Sequence, residues 1–420
     1  MDMTEQKTEV QGSFYDRSGV LKDEIHVGKG IPFGLEIISN PELHIGGVYG
    51  AWGTSYDNHS IRGWVERRLG RSLTDDECMN LSELGFSYRH HIDSITEEEN
   101  HELEVEVGAR LLKEAAHANG WDPSQVEAVL IGNTAPVSEN YTQEIAKKAG
   151  IPDSALKVSI HKACDGAVSG LHLALNPDLS ENSHLPFNLA HVLAGKKILV
   201  GGIEGLSHLI GLSGDINALQ LFGNGAGILG LIPGKTMRFL AGKEQEVYDD
   251  EGMLQVKMFY PHSGHRIAGQ SMVEVTQAGE NEFRIAGLMH EPSNGAPVIM
   301  AGLMGMVKLF VRSGVQVVSD AYRSYQDRIK LLDIPGKSIA LAVVHHANYK
   351  INKLKEKHLL REGIQLNMPW VLSEFGNVSA ASAMIAFLRQ LSKMNPGDHI
   401  LIDGFGAGTY YDVLVVELTG

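Results

Sequence analysis

The chain has 420 residues and a formal net charge of −15 from 36 Lys and Arg against 51 Asp and Glu. A body that acidic is a poor non-specific binder of nucleic acid or of an anionic membrane. Hydrophobic residues at 43% and charged residues at 21% exclude general disorder and provide for a large core, as two to three domains or one large α/β body.

Residues 1–40 are polar without sustained periodicity and read as an arm, so the first boundary falls at 1–43. Beyond it, short apolar runs alternate with helical patterns. VEAVLI at 126–131 and KILVGGI at 197–203 read as buried strands around a helix at 164–175 (CDGAVSGLHLAL). SIALAVV at 338–344 and HILIDGF at 399–405 flank a second such helix, NVSAASAMIAFLR at 377–389. Buried strands alternating with helices predict parallel sheets covered on both faces. The two sets also match each other. Ile131 precedes Cys164, and Val344 precedes Asn377, by the same 33 residues, so the offset is 213. In the following strands the offset falls to 202, which places an insertion in 176–194. The pattern predicts a duplicated α/β unit, with halves at 44–235 and 236–420 and a site between them.

No run of 18 apolar residues occurs, and MDMTEQKTEV lacks a positive segment followed by an apolar one, so a cytoplasmic protein is expected. The two cysteines, Cys78 and Cys164, form no CxxC pair and no disulfide framework. Cys164 falls between the strand-like KVSI and a helix. There the unpaired N–H groups and dipole of the helix would favour thiolate, against the neighbouring Asp165. His345 and His346 end a buried run followed by Asn348, a place where α/β proteins put site residues and also where histidines serve as hydrogen-bonding straps. Adjacent strand residues face opposite ways and no third ligand accompanies them, so zinc is not indicated. Asn377 could be an ordinary N-cap. The glycine clusters GNGAG at 223–227 and GFGAG at 404–408 match no phosphate-binding fingerprint and predict tight turns and close backbone approach.

In order along the chain, ACDG at 163–166, GNGAG at 223–227, HHAN at 345–348, GNVSAAS at 376–382 and FGAG at 405–408 resemble the β-ketoacyl-acyl-carrier-protein synthase III family of the thiolase superfamily. The set spreads over more than half the chain. The resemblance implies a duplicated five-layer αβαβα thiolase-like fold and a Cys164–His345–Asn377 triad. It also implies an oxyanion hole from the backbone N–H groups of Cys164 and Ala407, with Asn348, Phe405 and Gly406 near substrate. In such chemistry Cys164 attacks an acyl thioester and holds the acyl group covalently. His345 and Asn377 then stabilise the enolate formed as a malonyl-type thioester loses CO2.

Trp64 and Arg68 resemble the family's Trp and Arg pair at the CoA nucleotide. Lys350 matches a basic position used towards the acyl carrier. Together with Lys353 and Lys357 it follows i, i+3, i+7 helical spacing, which is equally that of a solvated face. The substrates would be CoA or phosphopantetheine thioesters, the partner an acyl carrier protein, the assembly a homodimer, with no metal or bound redox cofactor. Departures from the family pattern are His346, Asp165, Asn224 and Ala407, with added length before 44, at 176–194 and at 236–285. Three other outcomes stay open. The acyl group could pass to an alcohol or amine. Non-decarboxylative condensation of the hydroxymethylglutaryl-CoA synthase kind could use Glu139 or Glu204 as base. The chain could instead be a non-catalytic acyl-binding partner.

Overall fold

The computed structural model describes residues 24–420 apart from 94, 261–270, 294, 301 and 335. The part of the predicted arm at 1–23, and 261–270 within the predicted insertion, therefore lie outside the described residues. Thirteen strands carry the two large sheets: β1 (Glu24–Val27), β2 (Ile31–Asn40), β3 (Ile45–Trp52), β4 (Ala128–Gly132), β5 (Leu156–His161), β6 (Ile198–Glu204), β7 (Gly225–Leu231), β8 (Met237–Glu246), β9 (Val273–Gly279), β10 (Glu282–Gly287), β11 (Ile339–Val344), β12 (His399–Gly406) and β13 (Tyr410–Leu418). Six helices pack on them: α1 (Glu97–Ala118), α2 (Tyr141–Ala149), α3 (Gly166–Leu175), α4 (Gly302–Leu331), α5 (Tyr349–Arg361) and α6 (Ser382–Gln390).

The first sheet runs β1-β2-β3-β7-β6-β4-β5-β10-β9 and the second β8-β13-β12-β11. In both, a parallel pair (β4 with β6, β11 with β12) is extended by an antiparallel strand (β7, β13). The expected duplication is thus present in the topology. Helices α3 and α6 lie between the sheets, α1 and α2 cover the outer face of the first, and α4 and α5 cover the second. This is the five-layer αβαβα fold. Both middle helices are buried along their whole length, which explains their lack of a polar face. The sheet strands beside them are equally apolar: β4, β6, β7 and β12 contain no exposed residue.

Several boundaries sit elsewhere than the sequence placed them. β2, inside the predicted arm, pairs with β3 from Phe33 to Asn40. Only part of it is buried, so its run IPFGLEIISN lacks the alternation that marks a half-buried strand. The β9–β10 hairpin, numbered with the second half, adds to the first sheet through parallel pairing of β10 with β5. Such pairing is long-range and leaves no local signal in the sequence. The middle helices begin at Gly166 and Ser382, 216 residues apart, so Asn377 stands three residues short of matching Cys164. Among the described residues, no helix is long and apolar enough to cross a membrane.

Candidate active site

Each middle helix is preceded by one short turn of 3₁₀ helix, Ala163–Asp165 and Ser379–Ala381. The first turn carries Cys164. Ala163 and Ser379 both adopt left-handed backbone, φ 46° and 43°, uncommon for residues with a side chain and found where tertiary contacts enforce it. The turns face each other, and Ser379 Oγ lies 3.2 Å from Cys164 Sγ. Asn377 accepts a 2.9 Å bond from the Ser379 N–H and donates from Nδ2 to the Ala347 carbonyl at 3.3 Å. Its amide is therefore fixed by the chain it stands beside.

His345 follows β11 and packs edge-on against Phe405, ring centroids 4.8 Å apart. Its Nδ1 bonds the Ser382 hydroxyl, which also accepts the His346 N–H at 3.2 Å. A neutral imidazole carries one N–H, and where the Ser382 hydroxyl donates to Nδ1 that proton sits on Nε2. Burial pushes this imidazole down to about 3, so it stays neutral across the physiological range. His345 can thus donate a hydrogen bond without carrying charge. His346 does something else. Its Nδ1 lies 2.6 Å from the Val344 carbonyl and its Nε2 accepts from Val371 N–H at 3.1 Å, making it the strap that the sequence left open.

Cys164 and Ala407 line one apolar cavity of about 30 Å³ with Thr134, Ser379, Leu206, Ile210 and Val298. The glycines of β12 explain how the strand reaches this point. A Cβ on Gly406 would stand 2.5 Å from the Lys162 carbonyl and 3.0 Å from Cys164 N, and one on Gly404 would stand 2.2 Å from Asp165 Oδ1. The close backbone approach expected of GFGAG is therefore directed at the nucleophile turn.

The expectation of a thiolate favoured by the helix start is corrected. Burial pushes the Cys164 thiol up to about 12, opposed by the Ser379 bond and reinforced by the Glu204 charge. The helix is preceded by the 3₁₀ turn, and the partly buried sulfur stands against an apolar cavity, which disfavours the anion. Asp165 does not face the sulfur as a free charge. Burial, then the charge of Asp412, hold its carboxyl well above the usual range, so it stays protonated. Asp412 in turn is held well below that range against the effect of burial, by Lys162 at 3.1 Å and by His172 at 2.6 Å.

Of the remaining candidates, Asn348 caps α5 by accepting from Ile351 N–H at 2.9 Å. Asn224 accepts from Ser207 N–H at 2.9 Å and donates to the Trp52 carbonyl at 3.1 Å, also a structural task. Trp64 is not an open platform. It is buried and stacked on His91 at 3.9 Å, while Arg68 lies 5.3 Å over its ring and donates to the Ile92 carbonyl. Lys350, Lys353 and Lys357 do lie on α5, but Lys350 pairs with Glu83 and Lys353 with Glu356 at 2.7 Å, which dilutes the positive face. Glu139 is largely exposed on Arg284.

Glu204 is the carboxylate found at the site. It accepts from Thr134 Oγ1 at 2.8 Å, from Thr134 N–H at 3.0 Å and from Ala380 N–H at 3.1 Å. Burial raises it to about 7 despite those bonds. A neighbour missed by the sequence reading, Glu104 on α1, accepts from Trp52 Nε1 at 2.9 Å and is pushed up by burial to about 8. A carboxyl raised above its unfolded value opposes folding increasingly as pH climbs from the unfolded to the folded pKa. Glu104→Gln, which keeps an acceptor for Trp52, should therefore gain on the order of 2 kcal/mol more stability at pH 8 than at pH 6. Urea unfolding of both proteins at both pH values measures this, and an equal effect at the two values would refute the buried acid.

Residues 332–418 match the family model described as 3-oxoacyl-[acyl-carrier-protein] synthase III C terminal. A β-ketoacyl-[acyl-carrier-protein] synthase III 1 of Streptomyces coelicolor is 26% identical over 321 residues, covering 75% of this chain and 81% of the relative. Among solved structures, 3-oxoacyl-(acyl carrier protein) synthase III, FabH, of Pseudomonas aeruginosa PAO1 superposes with a TM-score of 0.60 at 18% identity, covering 92% of this chain and 97% of its own. OleA of Xanthomonas campestris superposes at 0.56 with 12% identity over 94% and 99%. The fold is shared across all of these, and the sequence resemblance runs to the synthase III group.

Proposed function

We propose that this chain, a thiolase-fold relative of the β-ketoacyl-acyl-carrier-protein synthase III family, is an acyltransferase that condenses an acyl thioester with a malonyl-type thioester. The observation that carries the reading is convergence. Ser379 touches Cys164 and is held by the Asn377 amide, while Ala407, which lines the same apolar cavity as Cys164, follows the Phe405 ring against which neutral His345 packs.

In this reading Cys164 sulfur attacks the thioester carbonyl, and the departing CoA or carrier thiolate leaves the acyl group on Cys164. The N–H groups of Cys164 and Ala407 bind the oxyanion. The second thioester then places its carbonyl against His345 and Asn377. Two neutral donors stabilise the enolate left as CO2 departs without the cost of burying a countercharge. The enolate carbon attacks acyl-Cys164, the C–S bond breaks, and the Cys164 thiolate leaves with the β-keto product and takes up one proton from solvent. The apolar walls favour an acyl chain over a polar one. A cytoplasmic location, a homodimer and an acyl carrier protein as second-substrate donor, met by the lysines of α5, belong to the same proposal.

Intact-mass measurement after incubation with acyl-CoAs and acyl carriers of graded length tests it. Wild type should gain one acyl mass and Cys164→Ala none. His345→Ala and Asn377→Ala should still load, yet condense with malonyl thioesters roughly 10²–10³-fold more slowly, as expected when a transition-state donor is removed. A Cys164→Ala protein that still turns over, or a wild type that loads from no thioester, would refute the reading.

A further inference from the structure

A partly buried thiol that burial pushes up needs somewhere to send its proton, and the hydrogen bond at its sulfur leads to Ser379. His345 Nδ1 is taken up by the Ser382 hydroxyl. Asp165 stands next in sequence but is itself protonated against Asp412. On the other side, three buried groups form a continuous line from the sulfur. Cys164 Sγ lies 3.2 Å from Ser379 Oγ, which lies 2.7 Å from Thr134 Oγ1, which lies 2.8 Å from Glu204 Oε1.

We propose that Glu204 takes the proton of Cys164 through a two-hydroxyl relay formed by Ser379 and Thr134. The proposal rests on Cys164 acting as a nucleophile. Each hydroxyl has one hydrogen, so the line admits two end states. With Glu204 ionised, Thr134 donates to Glu204, Ser379 donates to Thr134, and the Cys164 S–H points to Ser379. With the proton transferred, every bond reverses: the Glu204 acid donates to Thr134, Thr134 to Ser379, and Ser379 to the Cys164 thiolate. One S–H bond breaks and one carboxyl O–H forms. Each hydroxyl loses one proton and gains another, and net charge is unchanged.

Local structure maintains the line in both states. Ser379 is held by its left-handed backbone and the Asn377 side chain, and Thr134 by its own N–H on Glu204 Oε2. The Ala380 N–H stays on Glu204 Oε1. Titratable groups facing Glu204 are Glu104 from α1, Tyr141 from α2 and Cys164 itself. Burial makes Glu204 a weaker acid, near 7, which brings it closer to the thiol than an exposed carboxylate would be.

The test is the pH dependence of iodoacetamide alkylation, read peptide by peptide so that Cys164 is separated from Cys78. No thioester is needed. A coupled pair sharing one proton holds a fixed thiolate fraction across the pH range of that state. Wild-type alkylation should therefore rise through an inflection near neutral pH, flatten, and rise again only when the thiol itself titrates. Glu204→Gln should lose the neutral inflection and rise in a single step as the thiol itself titrates, because its amide takes up no proton. Thr134→Ser keeps the relay hydroxyl and should retain the inflection; Thr134→Val should lose it. This pair decides the matter should the Gln variant fail to fold. An inflection that survives in Glu204→Gln, or equal behaviour of Thr134→Ser and Thr134→Val, would overturn the relay. Acyl loading with a pH profile unchanged by Glu204→Gln would refute the relay and leave the acyltransferase standing. The predicted profile without loading from any thioester would do the reverse.

Discussion

Gly406→Ala should slow acylation of Cys164 by roughly 10²-fold in single-turnover measurements while the protein remains folded, the cost expected of about 1 Å of misplacement at a reacting centre. The added Cβ would meet the Lys162 carbonyl at 2.5 Å, Asp165 N at 2.8 Å and Cys164 N at 3.0 Å, distances at which backbone has to move. Two paths exist. The nucleophile turn can shift, which disturbs the Ser379 contact and the already strained Ala163, or the end of β12 can shift, which carries Ala407 away from Cys164. Either separates the attacking sulfur from the N–H groups assigned to the oxyanion. Acylation within threefold of wild type would show that this backbone contact does not set the geometry.

Lys162→Met should destabilise the fold by about 3–5 kcal/mol, the range for removing one partner of a buried ion pair. Lys162 Nζ bonds Asp412 at 3.1 Å, Glu244 at 3.1 Å and Ser169 at 3.0 Å, and its side chain is 3% exposed. Burial alone would lower its pKa, but Asp412 and Glu244 hold the ammonium well above its usual value. Without it, the Asp412 charge would face the protonated Asp165 and His172 alone, directly behind the nucleophile turn. Methionine keeps most of the volume, so the loss reports charge rather than a cavity. Chemical denaturation of both proteins checks this; a loss under 1 kcal/mol would show that the cluster relaxes by protonation.

The duplicated architecture was legible because its signal is local and repeated: apolar runs too continuous for a one-sided sheet, and middle helices with no polar face. Cys164, His345 and Asn377 were legible as candidates only through the family resemblance of the segments around them. Glu204 and Thr134 were harder to place, since a single Glu ending a buried strand has no pattern that says what stands opposite. Trp64 and Arg68 misled because a Trp–Arg spacing looks the same in a core as on a surface.

The amino-acid sequence by itself determined the alternation of buried strands with helices and the approximate repeat, because hydrophobic periodicity and turn chemistry act over a few neighbours; the five-layer order and the candidacy of Cys164, His345 and Asn377 came from the family resemblance. Only the tertiary structure decided the protonation of the site. It made Cys164 a reluctant thiol, His345 a neutral donor and Asp165 an acid, and it placed Glu204 two hydroxyls from the sulfur. Desolvation and charge coupling depend on residues tens to hundreds of positions away, such as Asp412 beside Asp165, and no local pattern encodes that distance.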